Sequence, residues 1–128
     1  MRIELSSVLV DDQEKALRFY TDILGFVKKT DIPVGKFRWL TVISPEQDGC
    51  VELLLEPNEN SAAKTFQAAI FDQGIPFMAF AVDDVQHEYD RLTKRGVTFP
   101  TKPTKPTSSP TLAIFDDTCG NLIQIYQS

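Results

Sequence analysis

Val10-Asp11-Asp12-Gln13-Glu14 recurs, 72 residues on, as Val82-Asp83-Asp84-Val85-Gln86. At the same spacing Leu17 meets Tyr89, Tyr20 meets Leu92, and Val51-Glu52-Leu53 meets Ile123-Gln124-Ile125. The match is carried by the two ends of each copy. A repeat of this kind makes one supersecondary unit the building block, so the first half of the chain predicts the second.

Each copy opens on an aliphatic run. Residues 3–10 and 76–82 read as strands. The Asp-Asp pair that follows each is a helix start. Asp11 with Glu14, and Asp83 with Gln86, have capping-box spacing, in which a carboxylate accepts an orphan N–H and a side chain three residues on reaches back. Helices are therefore predicted at 12–24 and 84–95. The first buries Ala16, Leu17, Tyr20, Ile23 and Leu24, the second Val85, Tyr89 and Leu92. Gly25 and Gly96 end them.

Three strands follow each helix. They are predicted at 26–32, 36–44 and 50–56, then at 97–100, 111–116 and 121–127. Pro33-Val34-Gly35, the run 45–49 and the run Asp116–Asn121 supply turns. Residues 61–74 read as a linking helix capped by Ser61 and stopped by Gly74. The fold class is α+β: two tandem βαβββ modules, about 1–58 and 75–128, within a single domain spanning 1–128. The proline-rich run 100–110 is predicted to be extended, either as a lid over a site or as a plain connection.

Composition narrows the function. The chain has 128 residues, 42% hydrophobic and 24% charged, with a net charge of -5. No basic run marks a nucleic-acid surface, no apolar stretch approaches a membrane span, and no apolar leader reads as a signal peptide. Two cysteines are too few for a disulfide scaffold, so a cytoplasmic location is expected. A single histidine, His87, excludes three-His zinc, two-His iron and H-E-x-x-H sites built from one chain. His87 lies among polar neighbours and is expected on the surface. Cys50 and Cys119 are expected as buried thiols, with a redox pair as the alternative.

The stretch Val10–Phe26, V-D-D-x-E-K-A-L-x-F-Y-T-D-x-L-G-F, and the stretch Asp117–Ile125, D-x-x-G-N-x-I-x-I, resemble the vicinal oxygen chelate superfamily. That is the group of glyoxalase I, bleomycin-resistance proteins and extradiol dioxygenases. The resemblance covers essentially the whole chain. It implies that the modules curl their mixed sheets into a cup-like, partly closed barrel with flanking helices, enclosing a small-molecule cavity within one chain or across a homodimer. It also implies a metal position set by the first and last strand of each module. Those positions fall on Leu5, Glu52, Phe77 and Gln124, of which Glu52 alone is a good ligand. The expectation is therefore a protein without a cofactor.

Period-2 geometry sorts the strands by face. Glu52, Leu54 and Glu56 share one face, as do Leu122, Gln124 and Tyr126. The expected lining is Leu5, Ser7, Trp39, Thr41, Glu52, Leu54, Phe77, Ala79, Gln124 and Tyr126, an apolar wall with a few convergent polar groups. Beside Leu5 and Phe77 the Glu52 carboxylate is expected in low dielectric, which raises a carboxyl pKa and suits a general base or acid. Trp39 is expected as a core aromatic, with a stacking surface for a planar or cationic ligand as the alternative. Three readings stay open: a metal-independent binder of the bleomycin-resistance type, a glyoxalase-like lyase or dioxygenase using Glu52 with an incomplete metal site, and a non-catalytic interaction module.

Overall fold

A computed structural model describes residues 1–47 and 51–128. Cys50 and part of the 45–49 turn lie outside the described residues. The chain divides into two compact units, Met1–Thr65 and Phe66–Ser128. Each is one βαβββ module with a mixed four-stranded sheet, so the architecture is α+β. None of the described helices is long and apolar enough to cross a membrane.

In the first unit, β1 (Leu5–Val10) leads into α1 (Gln13–Arg18), which widens into a π-type turn over Phe19–Ile23. Then come β2 (Val27–Val34), β3 (Phe37–Ile43) and β4 (Glu52–Pro57). The sheet order is β1-β4-β3-β2, with β1 parallel to β4 and the other pairs antiparallel. Val8, Val10, Leu40, Val42, Leu53 and Leu55 are buried, as are Ala16, Phe19 and Tyr20 of the helical segment. One helix covers one face, and strand alternation supplies the apolar side.

The second unit repeats the plan. The helix α2 (Ser61–Asp72) spans the division between the units; then follow β5 (Met78–Val82), α3 (Val85–Lys94), β6 (Thr101–Thr104), β7 (Leu112–Asp116) and β8 (Leu122–Gln127). The order is β5-β8-β7-β6. Val85, Leu92, Ala113, Phe115, Ile123 and Ile125 form its core. Phe99 joins them edge-on, stacking against Tyr89 at 4.8 Å and Phe115 at 5.6 Å.

Four local expectations are corrected. The helix caps are the second aspartates: Asp12 accepts from the Lys15 N–H at 2.9 Å and Asp84 from the His87 N–H at 2.9 Å. Asp11 instead meets the Lys15 ammonium at 2.8 Å. The strands run to Val10 and Val82, which leaves the first aspartate as a linker and sets the capping phase one residue later. The α2 cap is Asn60, not Ser61, because the helix already starts at Ser61 and the preceding Asn60 Oδ1 accepts from the Ala62 N–H at 2.8 Å. The strand expected at 97–100 forms instead at 101–104, inside the proline-rich run. Val97 is buried, and its N–H turns back to the Leu92 carbonyl at the end of α3. Pro103 is tolerated because β6 is an edge strand and needs no donor on its outer side.

The loop after β7 is built on buried polar groups. The Asp117 carboxylate, fully buried, accepts from the N–H groups of Cys119 (2.8 Å) and Asn121 (3.0 Å) and from the Asn121 side chain (2.7 Å). The Gln67 amide of α2 donates to the Cys119 carbonyl and the Asn121 amide oxygen. Gly120, at φ +102°, lies where an added Cβ would stand 2.8 Å from Gln67 Nε2. Cys119 is a buried thiol and His87 is exposed.

At the outer side of the first sheet, Arg38 holds Asp31 bidentately (3.0 and 2.7 Å) and Glu14 at 2.6 Å. The Arg38 guanidinium holds the Asp31 carboxyl down at about 2.

Two outcomes follow. Asp117→Ala leaves three donors without their acceptor and should cost about 3 kcal/mol in urea unfolding; a loss within error of zero would show that water replaces the carboxylate. Because the folded pKa of Asp31 lies below its unfolded value, the stabilisation is complete above about pH 4 and is lost as pH falls through about 2. The Tm gap between wild type and Asp31→Asn should therefore be widest near neutrality and shrink between pH 4 and pH 2, and a gap constant across that range would refute the assignment.

Candidate functional site

The candidate site is the face of the first sheet opposite α1. Register pairs place its side chains. Leu5 lies opposite Glu52 and Ser7 opposite Leu54. Thr41 lies opposite Leu54, and Trp39 opposite Ile32. Leu5, Ser7, Trp39, Thr41, Glu52 and Leu54 therefore share one face, because directly paired residues point the same way and alternate residues repeat.

This face mixes exposed apolar groups with a small polar centre. Leu5 is 42% exposed, Trp39 43% and Ile32 55%, whereas Thr41 and Leu54 are buried. Large apolar side chains left this open on a sheet face mark a surface built for contact. The polar centre is Glu52. Thr41 Oγ1 donates to it at 2.7 Å, and the Lys29 ammonium stands 3.8 Å from its other oxygen. The apolar surroundings expected for Glu52 are thus present on one side, at Leu5, and replaced on the other by a hydroxyl and a cation. Lys29 escapes a reading by strand alternation because it sits in a register irregularity of β2 between Lys28 and Thr30, where the extra residue re-aims its side chain.

The second unit holds the remaining candidates. Gln124 and Tyr126 share a face of β8, opposite Ala79 and Ala81. Phe77 precedes β5; its N–H donates to the Leu122 carbonyl at 2.8 Å and its ring meets Phe66 edge-on at 6.2 Å. Phe77 and Gln124 are not opposite one another as Leu5 and Glu52 are. Val10 lies opposite Pro57, a separation of 47 (57 − 10), and Val82 opposite Gln127, a separation of 45 (127 − 82). The last strand has slid by two residues between the copies, a shift that keeps every side chain on its face.

These residues do not fit a resident metal. Leu5 and Phe77 offer only hydrocarbon, and Glu52 is already engaged by Thr41 and Lys29. Among the described residues no group of three His, Cys, Asp or Glu side chains could hold an ion.

Residues 2–125 match the family model described as the Glyoxalase/Bleomycin resistance protein/Dioxygenase superfamily. The chain belongs to this superfamily. Within it, the chain is 57% identical to YurT of Bacillus subtilis (strain 168), with 99% of each chain covered. Among solved structures it is similar to UcmS2, at 32% identity and a TM-score of 0.83, covering 100% of this chain and 98% of that one. It is also similar to TnmS3, an antibiotic binding protein from Streptomyces sp. CB03234, at 31% identity and a TM-score of 0.76, covering 99% and 95%. The superfamily spans several chemistries on one fold, so activity is decided by the site.

The polar centre can be tested without a ligand. Thr41→Val keeps the shape of a buried side chain and removes the donor to Glu52, and should cost about 1.5 kcal/mol in chemical unfolding. Lys29→Met, which removes a longer and more exposed contact, should cost under about 1 kcal/mol. The reverse order would place the weight of the site on the lysine.

Proposed function

We propose that this protein is a metal-independent small-molecule binder of the bleomycin-resistance type, taking a planar ligand with a cationic or donor group. The observation that carries this reading is Trp39. A large aromatic ring, 43% exposed, stands on the open face of a sheet whose opposite face buries Leu40, Val42, Leu53 and Leu55. Its cross-strand partner Ile32 is also exposed, and Leu5 adds apolar surface on the first strand. Such a wall stacks against a planar molecule, and an indole face also attracts a cation.

Glu52 is the polar anchor in this reading. Thr41 and Lys29 fix its carboxylate, so it is preorganised to accept from a donor on the ligand. The hydrocarbon at Leu5 and Phe77 supports a binder over a lyase or dioxygenase, because those reactions draw on a filled coordination shell. The similarity to an antibiotic binding protein supports the same class of ligand. We place the protein in the cytoplasm as a homodimer, consistent with two cysteines and with the exposed Val27, Ile32 and Val34 along the edge strand β2.

The chain has a single tryptophan, so its emission reports on this face alone. Titration with a cationic aminoacridine should quench Trp39 saturably and raise Tm. Neutral acridone should bind more weakly, and Trp39→Ala should weaken the aminoacridine about tenfold by calorimetry. Neither a chelator nor added zinc, nickel or manganese should change the affinity. Binding that appears only with metal would overturn the reading.

A further inference from the structure

The two modules also differ in the seam between their third and last strands, and that difference lies beside Trp39. In the second unit, β7 and β8 pair continuously, from Leu112 opposite Tyr126 to Asp116 opposite Leu122. In the first unit, β3 and β4 are paired at Thr41 opposite Leu54 and Val42 opposite Leu53, and the ladder does not continue toward Trp39. The backbone groups there are not left bare. The Gln13 side chain, from the first residue of α1, enters the seam. Its amide nitrogen donates to the Arg38 carbonyl at 2.7 Å and to the Leu55 carbonyl at 2.9 Å, and its amide oxygen accepts from the Arg38 N–H at 3.0 Å.

One primary amide thus serves three backbone groups on two strands. It stands where a direct strand-to-strand bond would otherwise form. The repeat supplies an internal control. The position matching Gln13 is Val85, an aliphatic side chain that is fully buried in the core. Valine can neither donate nor accept, and the corresponding strands close into an unbroken ladder. The Arg38 side chain is clamped as well, by Asp31 and Glu14. Arg38 is therefore held at its N–H, its carbonyl and its guanidinium. Trp39 is the next residue, and it points to the opposite face.

We propose that Gln13 is a positioning residue for ligand binding: a wedge that holds β3 and β4 apart at Arg38 and Leu55 and so sets where the Trp39 ring stands on the open face. The proposal rests on the reading of Trp39 as the stacking surface. It adds that the position of that surface is dictated from the far side of the sheet by a residue that the ligand never touches. A bond network of this kind is satisfied only in one strand spacing, because each of the three partners is a fixed backbone group.

The test replaces Gln13 by the residue that the second module uses. In Gln13→Val, acrylamide quenching of Trp39 should change about twofold, and the Kd for the aminoacridine should rise about tenfold. A destabilised control in the other unit, Gly120→Ala, should leave both readouts unchanged although its Tm falls. If Gln13→Val does not fold, Gln13→Met, which keeps the length and removes the donors and the acceptor, is read in the same way. Unchanged quenching with an unchanged Kd in the folded variant would overturn the wedge. So would a change that the Gly120→Ala control reproduces, since that would be a loss of stability only. If wild type does not bind the aminoacridine, the proposed ligand class fails, while the wedge is still judged by Trp39 quenching: a shift in the variant supports it and no shift overturns it.

Discussion

A four-stranded sheet with one helix can bury only one of its faces, and each module of this chain is built under that constraint. In the first unit, Val8, Val10, Leu40, Val42, Leu53 and Leu55 turn toward α1 and disappear from solvent. Alternation then sends Leu5, Trp39, Glu52 and Glu56 to the other side. On that side Thr41 and Leu54 are buried while Leu5 and Trp39 stay exposed. The surface that remains is the cost of the architecture, and it is also where a ligand can be held.

Backbone polar groups impose the second constraint. Wherever the strand ladder stops, something else must meet the N–H and C=O groups. Two side-chain amides take that role here. Gln13 replaces the ladder between β3 and β4. Gln67, with Asp117 and Asn121, satisfies the loop between β7 and β8. The duplicated modules therefore differ in where their order depends on side chains. The first relies on a side chain in the sheet beside Trp39, and the second relies on side chains in a loop. That asymmetry leaves one module with a seam bridged by a side chain next to an exposed aromatic ring.

The family resemblance implies metal positions at Leu5 and Phe77, and hydrocarbon at those points changes the kind of work the face can do. Coordination needs lone pairs at fixed distances, whereas stacking needs area and flatness. Trp39, Ile32 and Leu5 supply area. Glu52, fixed by the Thr41 hydroxyl and the Lys29 ammonium, supplies one directional contact. A wall with one oriented polar group suits recognition of a planar molecule more than activation of one.

The sequence alone determined the repeat, the βαβββ order of each module, the helices, the face on which Glu52 and Leu54 lie, and the hydrocarbon side chains at Leu5 and Phe77. These are local properties: alternation, helical stripes and residue chemistry are written in neighbouring positions. Tertiary structure decided the rest. Asp12 rather than Asp11 caps α1 because the end of β1 sets the phase of the helix. The strand within the proline-rich run depends on β6 being an edge. The two-residue slide that puts Gln124 opposite Ala79, the irregularity that brings Lys29 to Glu52, and the seam that Gln13 fills all arise from pairings between segments far apart in the chain. A glutamine after two aspartates reads as an ordinary first turn; only the strands packed against it make it a wedge.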